Sequence, residues 1–180
     1  RGATRWQTPA CASIALSIVL RPVGIDPMHL GRLGLCIAVA VADAIESTTG
    51  VPVGVKWPND LVVVGPDDSP TSTRKLGGIL LEPAVIGSEP SRVSHVVVGI
   101  GINANLTSLS MAPVDDGALP PVALIDLVGR AVSREHLIVE VLGAVGDATH
   151  GSYSDAWPIW RSRYEARMAW RGVGVIADDV

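Results

Sequence analysis

Three aliphatic runs of strand length lie close together in this chain, at 61–64, 75–82 (KLGGILLE) and 93–102 (VSHVVVGIGI). Only turns and polar loops separate them. A fourth run, SIALSIVL at 13–20, ends at Arg21-Pro22, and a short one at about 53–57 precedes the first. Strands that follow one another, with helices before and after them, indicate an α+β fold with a mixed, mostly antiparallel sheet flanked by helices. The 180 residues fit one domain, and a hydrophobic share of 48% against 18% charged supports a sizeable core. Phenylalanine is absent, so that core must be mostly aliphatic.

Helix signals frame the strands. Asp26-Pro27 suits an N-cap with proline in the first turn, and the helix it opens runs through Ile45 and stops near Gly50. Ser133 caps a second helix to about Gly146. A last helix is expected over 155–171, where Trp157, Trp160, Tyr164 and Met168 recur at three- and four-residue steps. That stripe reads as core rather than as a cofactor box. GPDDSPTST (65–73) and residues 106–121 read as loops, and GVGVIADDV at the end begins a strand with no partner inside the chain.

Composition narrows the function classes. A net charge of −4 without clustered basic residues argues against nucleic acid as a partner. The most apolar run, 35–45, contains Asp43 and falls short of the roughly 20 residues that cross a bilayer, so no membrane partner is expected. Two cysteines, Cys11 and Cys36, are too few for a disulfide framework and suit a reduced, cytoplasmic setting. The chain opens on Arg1 rather than Met, so its true N-terminus is expected to lie upstream.

Four stretches carry more chemistry than a scaffold needs. Between the strands at 53–57 and 61–64 stands Lys56-Trp57-Pro58-Asn59-Asp60, with two charges and an amide where a plain turn would serve. In RKLGGIL (74–80), Gly77-Gly78 marks either a bulge or a close ligand approach, and strict alternation puts Lys75 on the face of Gly77. A lysine over a bare patch of sheet can bind an anion; the plain alternative is a surface lysine beside a bulge. In VVVGIGIN (96–103), Gly99 and Gly101 leave one face bare, and the Asn103 amide can donate and accept as an adenine edge requires. This is not a dinucleotide-binding fingerprint, because the third glycine and the helix are missing. In RGATRW (1–6), arginine beside glycine suits phosphate oxygens and Trp6 could stack on a base; the alternative is a solvated terminus. Together they outline a pocket for an anionic nucleotide and a second ligand, with Asp60 a candidate magnesium carboxylate.

In that order and spacing, WQTP…SIALSIVLRP, KWPND, RKLGGILLE and VVVGIGIN resemble the catalytic core of the biotin protein ligases, and the resemblance covers nearly the whole chain. It implies the α+β fold of the class II aminoacyl-tRNA synthetase and biotin-ligase type. The domain would occupy 1–172, with 173–180 the start of a small C-terminal β-barrel. It implies ATP and biotin as substrates with Mg2+. Biotinyl-AMP would form first, and a lysine of a biotin carboxyl carrier domain of an acyl-CoA or pyruvate carboxylase would then take the biotinyl group. A homodimer is an assembly it allows.

The resemblance also assigns roles. Lys75 and Arg1 would be catalytic. Arg1, Lys75, Gly78, Leu80 and Gly99 would meet biotin. Trp6, Lys56, Asn59, Asp60, Lys75 and Asn103 would meet the nucleotide, with Asp60 at the magnesium, while Trp57 packs. The chain departs from the family's GRGRxGRxW loop at Ala3 and Thr4, and Cys11 stands where glycine is usual. The family's preceding segment, which brings a Ser/Thr-Asn pair and a glutamine to biotin's ring, has no counterpart in the sequence. A lipoate-protein ligase, or a module that binds biotin or its adenylate without transferring it, are the alternatives.

Overall fold

The computed structural model describes residues 10, 12–22, 25–67, 69–87, 92–111, 117–150 and 153–173. Five strands form one sheet: β1 (Ile14–Leu20), β2 (Gly54–Lys56), β3 (Asp60–Val63), β4 (Arg74–Ile86) and β5 (Arg92–Ile102). Their order is β1-β5-β4-β3-β2, and every neighbouring pair is antiparallel. The α+β expectation holds. Among the described residues, parallel pairing occurs only as isolated bridges, Val55 with Met168 and Lys75 with Pro121.

The long helix α1 (Leu30–Thr49) starts after a 3-10 turn, Pro27–His29, whose Asp26 cap accepts a hydrogen bond from the Met28 amide at 2.8 Å. It ends on Gly50 in the left-handed conformation, φ 74°, as a glycine at that place allows. With its leading turn, this helix is long and apolar enough to cross a bilayer by length and composition, which the 35–45 run alone is not. Ten of its residues, Leu33, Ile37, Val41 and Ile45 among them, are buried in the protein core instead. Further along come α2 (Leu124–Val128), α3 (Arg134–Thr149) and α4 (Tyr153–Arg167). Ser133 caps α3 as expected, its hydroxyl accepting from the His136 amide at 3.2 Å.

Alternation along β5 separates the two faces of the sheet. Val96, Val98, Ile100 and Ile102 are buried in the core with α1, α3 and Tyr164 of α4. Gly99 and Gly101 turn the other way, opposite Leu80 and Gly78 of β4 and Ser17 and Ala15 of β1. Ala15, Ser17 and Leu80 are exposed. This second face is therefore lined mostly by small residues, with Leu80 exposed among them.

Three boundaries differ from the sequence reading. β4 extends to Ile86, because its ladder with β5 continues through ten residue pairs. The segment after 121 holds the short α2, held by Asp126, whose carboxylate accepts from the amides of Ala123 and Ser108 at 3.2 and 2.9 Å. The last helix stops at Arg167, not 171, because the chain then turns to dock on β2, with the Ala169 amide donating to the Val55 carbonyl at 3.0 Å. Of the aromatic stripe, Tyr164 is buried and Trp160 and Met168 pack against the core, while Trp157 lies under the Arg32 guanidinium, 5.2 Å from the ring centroid.

Candidate active site

The chemistry of KWPND follows from how its turn is tied down. Lys56 closes β2 and Asp60 opens β3 as a directly opposed pair. Asn59 fastens the turn between them to β4: its side-chain nitrogen donates to the Ile79 carbonyl at 2.7 Å, and its backbone carbonyl accepts from the Ile79 amide at 2.9 Å. The Trp57-Pro58 peptide within the turn is cis. Trp57, expected to pack, is 68% exposed, because the turn carries it off the sheet.

A bulge on β4 sets the position of Lys75. Leu61 pairs with Gly77 but Val62 pairs with Lys75, so Leu76 is an extra residue on β4. Strict alternation would put Lys75 with Gly77. The bulge shifts the count by one, and Lys75 instead lies over Gly78, its Cε 3.8 Å from where a Gly78 Cβ would stand. The two glycines then have different reasons. A Cβ on Gly77 would come within 2.2 Å of the Gly101 carbonyl oxygen, so close approach of two backbones requires glycine there. A Cβ on Gly78 would meet nothing nearer than 3.6 Å, so that position is bare without being crowded.

Asp60 joins the site. One carboxylate oxygen is 2.5 Å from the Lys75 ammonium and the other 3.8 Å from that of Lys56. The sequence contains only these two lysines, and both meet at one carboxylate. All three side chains are partly exposed, so an incoming anion can reach them. Among the described residues no group of three or more His, Cys, Asp or Glu could hold a metal ion. A magnesium ion here would depend on Asp60 and on the phosphates it accompanies, which is how Mg2+ is commonly held with nucleotides.

Asn103 is 8% exposed. Its side-chain nitrogen donates to the carbonyls of Val122 and Lys75 at 3.1 and 3.4 Å. The Lys75 amide donates to the Pro120 carbonyl at 2.8 Å, and its carbonyl accepts from Val122 at 2.9 Å. Asn103 thus holds the backbone that carries Lys75, and a nucleobase contact through its nitrogen would have to displace those bonds. Leu80 and Gly99 pair across β4 and β5 on the face turned away from the core. Arg1 and Trp6 lie outside the described residues, as does most of the proposed final strand.

Sequence reasoning missed the Pro120–Val122 clasp and Trp170. The indole of Trp170 donates to the Thr73 hydroxyl at 2.9 Å, and the Lys56 ammonium stands 5.5 Å from the centroid of the Trp170 ring. Trp170 falls off the helical stripe, so periodicity gave no signal for it.

Gly78, Gly99 and Gly101 leave this face of the sheet bare, beside the two lysines and their shared carboxylate. The profile of the Biotin/lipoate A/B protein ligase family matches residues 1–103. The chain belongs to that family. It is 32% identical over 167 residues to the biotin--[acetyl-CoA-carboxylase] ligase of Mycobacterium tuberculosis, covering 90% of this chain and 53% of that protein. In fold it is similar to the biotin protein ligase of Leishmania major solved with biotin, with a TM-score of 0.70, 15% identity and coverage of 100% of this chain and 69% of the other. It is similar also to that of Aquifex aeolicus solved with biotin and ATP, with a TM-score of 0.63, 21% identity and coverage of 88% and 59%. The chain spans well under two thirds of the length of the curated relatives it matches.

Proposed function

We propose that this chain is the catalytic core of a biotin protein ligase. Biotin's carboxylate oxygen attacks the α-phosphorus of ATP, the bond to the bridging oxygen breaks, and pyrophosphate leaves with its electron pair. A lysine amine of a biotin carboxyl carrier domain of an acyl-CoA or pyruvate carboxylase then attacks the acyl carbon, loses a proton and expels AMP. The setting proposed is cytoplasmic.

The observation that carries this reading is the Lys75 ammonium held by Asp60 above the bare Gly78 position. Two anions must meet in the first step. A cation about 4 Å from one of them is worth about 4 kcal/mol at an effective dielectric near 20, before desolvation. Lys75 takes that bridging place. Lys56 binds phosphate, and Asp60 together with the phosphates would hold Mg2+, which would draw charge off the α-phosphate and the leaving pyrophosphate. Gly78, Leu80 and Gly99 form the floor for biotin. Asn59 holds the turn, Asn103 holds the Lys75 backbone, and Arg1 and Trp6 cover the adenylate.

The family also includes lipoate ligases, and the Mycobacterium tuberculosis relative favours biotin. Calorimetric titration of the protein carrying this chain with biotin and with lipoate separates the two. Tight binding of biotin and none of lipoate is expected; the reverse overturns the substrate assignment.

A further inference from the structure

We infer that Trp170 is a positioning residue of this site, holding the Lys56 ammonium ready for phosphate by giving it an aromatic partner that carries no charge. The inference deepens the proposed function and rests on it for its kinetic consequence. Its spectroscopic consequence stands without it.

Trp170 has a φ of 62°, the only positive φ at a non-glycine among the described residues. An aromatic side chain disfavours that conformation, which persists only where the surroundings over-determine it. Here they do. Arg167 donates to the Val53 carbonyl at 2.9 Å and pairs with Glu46 at 2.6 Å and with Asp43. Met168 bridges to Val55, and the Ala169 amide donates to the Val55 carbonyl. The chain is thus bound to β2 up to the residue before Trp170, beside Lys56. At the far end of the side chain, Thr73 is wholly buried, and its hydroxyl donates to the Ser69 carbonyl at 2.8 Å while accepting from the indole nitrogen at 2.9 Å. The ring is fixed at both ends.

The charge balance gives the ring its purpose. Asp60 already holds Lys75 at 2.5 Å, while Lys56 stays at 3.8 Å from the same carboxylate and 5.5 Å from the ring centroid. A second carboxylate in place of the indole would orient Lys56 equally well but would neutralise it. A ring face orients a cation through its quadrupole and adds no net charge. Lys56 is therefore held and still able to attract an anion, next to a lysine whose charge Asp60 offsets until ligand arrives.

Because Lys56 and Lys75 are the only lysines of this chain, reductive methylation with 13C-formaldehyde labels two side chains here, assigned by Lys56→Arg. The ring current of Trp170 should displace the Lys56 signal. Trp170→Leu should return it to the position of a free dimethyl-lysine, and Trp170→Phe should keep most of the displacement. In biotin-dependent pyrophosphate exchange, Trp170→Leu should raise the KM for ATP about three- to tenfold with the KM for biotin unchanged. It should add nothing in a Lys56→Met background. Thr73→Val, which removes only the indole's acceptor, should show a smaller effect of the same kind. An unshifted Lys56 signal in the unsubstituted protein overturns the inference, as does an equal loss with and without Lys56. If Trp170→Leu fails to fold, the Lys56 signal in the unsubstituted protein and in Thr73→Val decides the matter. Absence of any biotin-dependent exchange by the unsubstituted protein would contradict the proposed function, and the Lys56 signal would still decide the role of Trp170.

Discussion

Lys75 and Asp60 stand 2.5 Å apart across neighbouring strands, and a one-residue bulge at Leu76 brings them together. Had β4 kept regular alternation, Lys75 would share a face with Gly77 and not with Gly78. The site therefore depends on a backbone irregularity as much as on its charged groups. Such bulges commonly re-aim a side chain beside an active site.

Asp60→Asn should leave the fold intact, lower the exchange rate because Lys75 loses its ion-pair partner, and raise the Mg2+ concentration needed for half-maximal pyrophosphate exchange. The substitution keeps the size of the side chain and removes the charge that would hold the ion. A metal titration of the two proteins checks this; identical Mg2+ curves would remove Asp60 from the metal site.

The paired glycines should separate fold from function. Gly77→Ala drives a methyl to within 2.2 Å of the Gly101 carbonyl oxygen, which is backbone and cannot swing aside. A loss of about 1–3 kcal/mol or more is expected, read by denaturant melting. Gly78→Val adds its side chain where the nearest atoms are 3.6 Å away. It should fold and bind biotin much more weakly while binding ATP nearly as before. Unchanged biotin affinity in a folded Gly78→Val protein would move the pocket elsewhere.

Asn103→Leu removes the buried side-chain donor shared by the carbonyls of Val122 and Lys75, of which the second keeps the Val122 amide. The expected cost is about 1–3 kcal/mol in stability. Exchange activity should fall as well, because the Lys75 backbone loses its anchor. Full activity at normal stability would make the Asn103 contacts incidental.

Cys36 is buried in α1, and burial pushes its thiol up to about 12. In the native protein it should resist thiol reagents at pH 8 and react only on unfolding. The same shift has a pH consequence. The unfolded thiol ionises near the ordinary value of 9.0 and the folded one does not, so stability from this group is lost as pH rises from about 9 toward 12. Cys36→Ala should flatten that alkaline loss of stability.

Much of the scaffold was readable because short-range chemistry decides it. Asp26 with Pro27, Gly50 and Ser133 are caps whose reasons are local, and each acts as a cap in the structure. The run at 93–102 alternates toward a buried face, and that alternation survives folding; the run at 13–20 reads as a buried strand, but Ala15, Ser17 and Val19 are exposed because its other face lies outside the core. What was illegible depends on distant partners. The Leu76 bulge arises from pairing with β3. Asn103 reads as a ligand amide until Val122 and Lys75 come beside it. Trp170 is 97 residues from Thr73, and no periodicity links them. Trp57 looks like a core residue by type, and only the turn explains its exposure.

The central claim is that Lys75 bridges biotin and the α-phosphate during adenylation. Biotin-dependent exchange of labelled pyrophosphate into ATP tests it most directly, comparing the protein carrying this chain with its Lys75→Ala variant. Removing a contact made mainly in the transition state should lower the rate by orders of magnitude while the melting temperature stays close to that of the unsubstituted protein. Near-normal exchange by a folded Lys75→Ala protein would contradict the account.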